Sequence, residues 1–175
     1  MPAYAKASQL GYGCPAMHAK PTAEVVDAWI SLLRTERTLI DKVEERLKRA
    51  SLPPLDWYHV LNEVDRAPKS MLRQAQVQER TQLAQYTLCR LVDRLERDGL
   101  MERHPCQRDG RNNVLLITAK GRALRRSMWP VYAAAIDDHF GSRLTRAEAE
   151  QLAGLLAKLD GRAGRGATGP GWPLV

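Results

Sequence analysis

Residues 83–103 decide the fold, and they read LAQYTLCRLVDRLERDGLMER. Leu88, Leu91, Val92 and Leu95 recur at helical spacing, which predicts a helix over residues 84–98 with one apolar face. A glycine at position 99 stands where glycine commonly ends a helix. The opposite face of this helix carries Gln85, Tyr86, Thr87, Arg90 and Arg94. The pattern predicts a helix that packs on one side and offers hydrogen-bonding groups to a partner on the other.

The neighbouring segments place this helix in a motif. A shorter helix is predicted over residues 74–80, and two strands are predicted over residues 100–104 and 114–117. Residues 105–113, PCQRDGRNN, are polar and rich in turn-forming residues, so they predict a long basic hairpin tip. A short helix followed by a polar-faced helix is the helix-turn-helix arrangement. The predicted fold is therefore mainly α with a small β-hairpin wing, a winged helix-turn-helix domain.

Long amphipathic helices flank this motif. They are predicted over residues 24–49, 120–140 and 145–159, with a further helix over residues 55–65. The first would be about 40 Å long, more than a small domain covers, so part of its apolar stripe is expected to meet a second chain. The last begins at a capping box, Thr145 to Glu148. We expect an irregular arm over residues 1–21, a single domain over residues 22–160 with its DNA-binding part over 55–118, and a flexible tail over 161–175.

Charge and side-chain chemistry favour double-stranded DNA as the partner. Residues 66–126 contain fourteen Lys and Arg against six Asp and Glu, a net charge of +8, whereas the whole chain carries +7. On the polar-faced helix, Gln can hydrogen-bond an adenine edge, Arg can bind guanine through two hydrogen bonds, and Thr can hydrogen-bond a base or a phosphate. At the hairpin tip, Arg108 and Arg111 flank Asp109 and Gly110. A guanidinium on a thin loop can enter a narrow minor groove, where the negative potential is enhanced.

Two motifs in this order resemble a known family. Residues 83–103 resemble the recognition helix of the multiple antibiotic resistance regulator (MarR) family, and residues 109–121, DGRNNVLLITAKG, resemble its wing signature. The resemblance is close over about residues 72–121 and extends to the flanking helices by pattern. This chain has Gln82 where the family has a turn glycine, Ala84 where it has a serine cap, Arg73 where it has Ser or Thr, and Gln78 where it has a small residue.

The resemblance implies a homodimer held together by the first and last helices. It implies that Arg111 enters the minor groove and that Asp109 orients neighbouring basic side chains. Members of the family commonly repress transcription and release DNA when a small phenolic or other aromatic ligand binds, or when a cysteine is oxidised. The sequence therefore predicts a repressor released by an aromatic ligand, with a cysteine-based redox regulator as the alternative.

Aromatic residues on three helices suggest where such a ligand would bind. The candidate ligand residues are Trp29, Arg34, Arg37, Trp57, Tyr58, Trp129 and Tyr132. The rings could line a pocket, and an arginine could pair with a ligand carboxylate. The same rings could instead serve only core and dimer packing.

Other function classes find little support in the sequence. Cys14, Cys89 and Cys106 are odd in number and form no CxxC pair, which fits a reducing cytoplasm, and buried or incidental cysteines are the alternative to a redox sensor. The Cys14/His18 and His104/Cys106 pairs are too few for a four-ligand metal site. No nucleotide-binding or hydrolase fingerprint, signal peptide or membrane-spanning run is apparent. We expect no enzyme activity, cofactor, metal or membrane; a winged helix that binds protein is the remaining alternative.

Overall fold

The computed structural model describes residues 20–106 and 109–159. Its helices are α1 (Ala23–Arg49), α2 (Leu55–Asp65), α3 (Gln74–Thr81), α4 (Gln85–Arg97), α5 (Ala119–His139) and α6 (Arg146–Leu159). Its strands are β1 (Met71–Arg73), β2 (Met101–Cys106) and β3 (Asp109–Ile117). Short 3-10 turns lie at Pro68–Ser70 and Gly141–Arg143. Among the described residues, no helix is long and apolar enough to cross a bilayer.

The chain divides into two compact units, and the border falls inside α1. The first unit comprises residues 1–37 and the second residues 38–175. In the described part of the first unit, residues 20–37, every residue is exposed. The apolar side chains there include Trp29, which is 59% exposed, and Leu33, which is 49% exposed.

The second unit has two apolar clusters that share α2. Trp57, Val60, Leu61 and Val64 pack with the apolar faces of α3, α4 and the sheet. Leu55 and Tyr58, on another side of α2, pack with Val43 and Leu47 of α1 and with Met128, Tyr132 and Ala135 of α5. A single short helix is therefore apolar around most of its circumference, as expected of a helix buried between layers.

The sheet contains one strand more than predicted. β1 pairs antiparallel with β3, with Leu72 opposite Leu115, and β3 pairs antiparallel with β2, so the order is β1-β3-β2. β1 leads directly into α3. The backbone just before the helix-turn-helix is thus bonded to the wing.

The prediction of a long turn over residues 105–113 was wrong. Pro105 pairs with Asn113 and Cys106 with Asp109, so only residues 107 and 108 separate the strands. Inter-strand pairing uses backbone groups, and an edge strand tolerates proline, so a polar and turn-rich composition concealed these strand ends. The pairing register shifts between Pro105 and Cys106, and the strands over residues 101–106 and 109–117 extend further toward the tip than the sequence suggested.

A small junction joins the hairpin to α5. The Thr118 hydroxyl donates to the Gly99 carbonyl at 2.8 Å and accepts from the Gly121 backbone N–H at 3.0 Å. Thr118 is thus the N-cap of α5. A Cβ at position 121 would overlap the Leu100 carbonyl oxygen, so only glycine fits there.

Candidate nucleic-acid interface

The turn between α3 and α4 adopts the geometry of a helix-turn-helix without its usual residues. Gln82 ends α3 with φ 57° and ψ 16°, in the left-handed region. Ala84 is the N-cap of α4 and supplies no side-chain cap. At the start of α3, the Arg73 backbone N–H donates to Oε1 of Gln76 at 3.2 Å. The fold therefore tolerates a strained residue and an uncapped helix at this turn.

The division of α4 into two faces is as predicted. Leu88, Leu91, Val92 and Leu95 are buried. The five candidate DNA-contacting residues are all exposed; they are Gln85, Tyr86, Thr87, Arg90 and Arg94. One helix face thus presents an amide, two hydroxyls and two guanidinium groups, the set of groups that read base edges and bind phosphates.

Two of these side chains contact each other. Nη1 of Arg90 donates to the Tyr86 hydroxyl at 2.8 Å, and Cζ of Arg90 lies 5.4 Å from the centroid of the Tyr86 ring. The second distance is within the range of a cation–π contact. The residues are four apart on the helix, so they lie one turn from each other.

Arg103 joins the base of the hairpin to α4, a role that the sequence analysis missed. Its Nη2 lies 2.6 Å from Oδ1 of Asp93, and its Nε lies 3.5 Å from Oε2 of Glu96. Asp93 and Glu96 are three apart and share a helix face, and this spacing was the available signal for a shared cation.

The tip of the hairpin carries the remaining candidate DNA contacts. Arg108 lies outside the described residues. Asp109 and Arg111 have their backbone in β3, but their side chains lie outside the described part. Their roles therefore stay predictions.

Three of the seven candidate ligand residues form one cluster in the second unit. The Tyr58 ring is stacked on Trp129 with centroids 6.0 Å apart, and Tyr132 meets Tyr58 edge-on at 5.3 Å. Burial raises the pKa of Tyr132 to about 12, and it also raises the pKa of Tyr58. Trp57 packs instead in the cluster beneath α4.

The other three candidate ligand residues, Trp29, Arg34 and Arg37, belong to the first unit, where all three are exposed. The seven-residue pocket as a whole stays a prediction.

A groove in the second unit includes none of these seven residues. It has a volume of about 890 Å³ and lies between the part of α1 that begins at Lys42 and the second half of α5. Its apolar lining residues are Ala50, Pro130, Val131 and Ala134, and its polar ones are Lys42, Glu45, Arg46, Arg49 and His139. Arg46 also forms an ion pair with Asp138 of α5. The described residues contain no group of three or more His, Cys, Asp and Glu side chains that could hold a metal ion.

Solved structures of known regulators share this fold. Sco3205 of Streptomyces coelicolor, a MarR family transcriptional regulator in complex with DNA, is 23% identical with a TM-score of 0.75, over 83% of this chain and 91% of that one. A mutant MarR of E. coli complexed with operator DNA is 20% identical with a TM-score of 0.68, over 78% of this chain and 95% of that one. BpsR of Bordetella bronchiseptica, whose DNA binding is regulated by 6-hydroxynicotinic acid, is 22% identical with a TM-score of 0.67, over 77% of this chain and 98% of that one.

A family model supplies independent agreement. Residues 50–112, which contain α2, both helices of the helix-turn-helix and most of the wing, match the model of the MarR family. Sequence match and fold therefore agree on the same segment: residues 50–112 match the model of the MarR family, and the winged helix-turn-helix fold is the one found in solved MarR family regulators.

Proposed function

We propose that this protein is a sequence-specific regulator of transcription that binds double-stranded operator DNA through α4 and the wing. The observation that carries the proposal is the two-sided α4, with four apolar side chains buried and five candidate contact residues exposed together. The net charge of +8 over residues 66–126 supports it, because phosphate neutralisation supplies much of the affinity of such complexes. The proposal includes a cytoplasmic location and no catalytic activity or cofactor.

A homodimer is the second part of the proposal. Leu155, Leu156 and Leu159 of α6 are between 38% and 75% exposed, and no residue of α6 is buried. Apolar side chains this exposed on neighbouring turns mark an interaction surface. A dimer also gives two recognition helices, which can engage half-sites one turn of DNA, about 34–36 Å, apart.

Release by a small aromatic ligand is the third part. A ligand weakens DNA binding only if it binds more tightly to the DNA-free arrangement of the dimer, and a coupling of about 1–3 kcal/mol changes affinity roughly 5- to 150-fold. The reported regulation of BpsR by an aromatic acid supports a ligand of this class. Within the second unit, Tyr58 and Tyr132 are buried in the core, so the half-buried Trp129 beside them is the ring of this cluster on which such a ligand could stack.

The deciding experiment is binding of the full-length protein to the DNA upstream of its own gene. We expect a discrete footprint and an affinity at least a thousandfold above that for random duplex at the same salt concentration. Equal affinity for both duplexes would contradict specific recognition. Absence of DNA binding, together with capture of a protein by α4, would favour the protein-interaction alternative.

The same assay then separates the regulatory alternatives. A panel of benzoates, cinnamates, their thioesters and hydroxynicotinates should weaken operator binding if the effector is aromatic. A panel without effect, together with a loss of binding on peroxide treatment that Cys89→Ser or Cys106→Ser abolishes, would replace the ligand by redox control.

A further inference from the structure

Tyr86 and Arg90 form a pair on the face of α4 that is proposed to meet DNA. The hydrogen bond between them is 2.8 Å long and the guanidinium lies 5.4 Å from the ring. Tyr86 is 69% exposed, so most of its side chain does not pack within its own chain. The helix beneath them is fixed by the buried Leu88 and Leu91, so the pair sits on a rigid base.

This contact restricts an otherwise flexible side chain. An arginine side chain carries about 2 kcal/mol of rotamer entropy, part of which is lost when it binds an acceptor. A guanidinium has five N–H donors, and Tyr86 accepts from one of them. No other hydrogen bond or ion pair of Arg90 is found among residues 20–106 and 109–159. The donors on the other side of the group therefore remain available for a second partner.

We propose that Tyr86 is a positioning residue that presents Arg90 edge-on to a guanine in the major groove, and so makes guanine a fixed element of each operator half-site. This inference rests on the proposed function. Arginine recognises guanine by two parallel hydrogen bonds to O6 and N7, which requires the guanidinium plane to be aligned with the base. A phosphate contact has no such requirement, because phosphate accepts from many directions and carries no sequence information.

The test begins with an operator selected by the full-length protein from a random duplex library. Each guanine of that operator is then replaced singly by 7-deazaguanine, which lacks the N7 acceptor. We expect one guanine in each half-site at which the replacement weakens wild-type binding at least fivefold. Arg90→Ala should weaken binding to the unmodified operator roughly 5- to 150-fold.

Tyr86→Phe isolates the positioning role, since it keeps the ring and removes only the hydroxyl. We expect it to weaken binding to the unmodified operator about 2- to 10-fold, the range for one exposed charge-assisted contact. It should have no further effect in the Arg90→Ala background, and a smaller effect on the operator with the sensitive guanine replaced, where only the O6 acceptor remains. Arg94→Ala serves as the matched control, and its effect should add to that of Tyr86→Phe.

Two results would overturn the inference while leaving the proposed function intact. One is a Tyr86→Phe protein that binds the selected operator as tightly as wild type. The other is a loss that persists in the Arg90→Ala background, which would mean that Tyr86 contacts DNA by itself. If the wild-type protein selects no sequence from the library, the proposed function fails as well, so the two failures are distinguishable.

Discussion

Arg103 in β2 lies 2.6 Å from Asp93 and 3.5 Å from Glu96 in α4, so one guanidinium joins the wing to the recognition helix. DNA binding of the proposed kind requires the wing and α4 to enter neighbouring grooves together. The relative position of these two elements therefore depends in part on an ion pair within the chain.

Removal of Arg103 tests this dependence. Arg103→Ala should lower the free energy of unfolding by about 1 kcal/mol, the upper end for an exposed ion pair, because Arg103 is partly buried. Operator affinity should fall more than in Arg97→Ala, which removes the same charge from the exposed last turn of α4. Equal losses of operator affinity in both variants would mean that only charge matters.

Gln82 is predicted to cost stability. Its φ of 57° is unfavourable for a residue with a Cβ, by about 1–2 kcal/mol, and glycine avoids this cost but loses more backbone entropy on folding. Gln82→Gly should raise the free energy of unfolding by about 0.5–1 kcal/mol, measured by urea denaturation. Gln82→Ala keeps the Cβ and should bring no gain; equal stabilisation by both variants would argue against backbone strain.

The uncapped start of α4 gives an independent prediction. Ala84 has φ −58° and ψ 140°, a conformation from which a serine hydroxyl can accept from the backbone N–H groups of the first turn. Ala84→Ser should stabilise the protein by about 1 kcal/mol in thermal unfolding. Ala84→Val should give no such gain, and a serine variant no more stable than valine would show that those N–H groups are already satisfied.

His59 is predicted to make stability fall in mild acid. Burial lowers the pKa of His59, and the charge of Asp56 opposes this shift only in part. The folded state therefore favours the neutral ring. Its centroid lies 6.3 Å from the ring centroid of Tyr58 and 6.2 Å from that of Tyr132. As pH falls through about 6.5, the unfolded chain takes up this proton first, so stability is lost from there down to the lowered pKa.

The measurement is urea denaturation at several pH values between 7.5 and 5. His59→Gln should flatten the pH dependence over this window even if it lowers stability overall. An unchanged pH dependence in the variant would place its origin in other groups.

The proposed dimer predicts a mass near 39 kDa in solution, twice the 19.7 kDa of the chain. Sedimentation equilibrium at micromolar concentration measures it directly, and a mass near 20 kDa would refute the dimer. Leu156→Glu in α6 should shift the equilibrium toward monomer, whereas Lys158→Glu on the same helix changes charge without removing an apolar side chain and should have little effect.

The sequence predicted the helices well because their apolar residues are periodic. The bounds of α2 were predicted without error, and those of α3 and α4 within one residue, since Val60, Leu61, Leu88 and Leu95 are buried where the period places them. β1 was missed because three residues, Met71–Arg73, show no usable alternation and are a strand only through their pairing with β3. Local pattern carries no information about a distant partner strand.

The candidate interface was predicted in composition but not in geometry. The exposure of Gln85, Tyr86, Thr87, Arg90 and Arg94 follows from helical periodicity alone. The spacing of Asp93 and Glu96 indicates a shared cation, but that Arg103 supplies it depends on how the hairpin packs on α4. The Tyr86–Arg90 pair lies between these cases, because a spacing of four on a helix permits the contact but does not require it.

The junction of Thr118 and Gly121 separates two kinds of information within the wing signature. Thr118 closes hydrogen bonds to Gly99 and Gly121, and position 121 has no room for a side chain, so this half of the signature is demanded by the turn from hairpin into α5. For Arg111, in the other half, the sequence predicts a contact with DNA instead. Substitution of Thr118 or Gly121 should therefore disturb the fold of the wing, whatever partner the wing binds. Under the proposed function, a sequence search for DNA-binding proteins of this kind should weigh Arg111 more heavily than Thr118 and Gly121, which identify the fold.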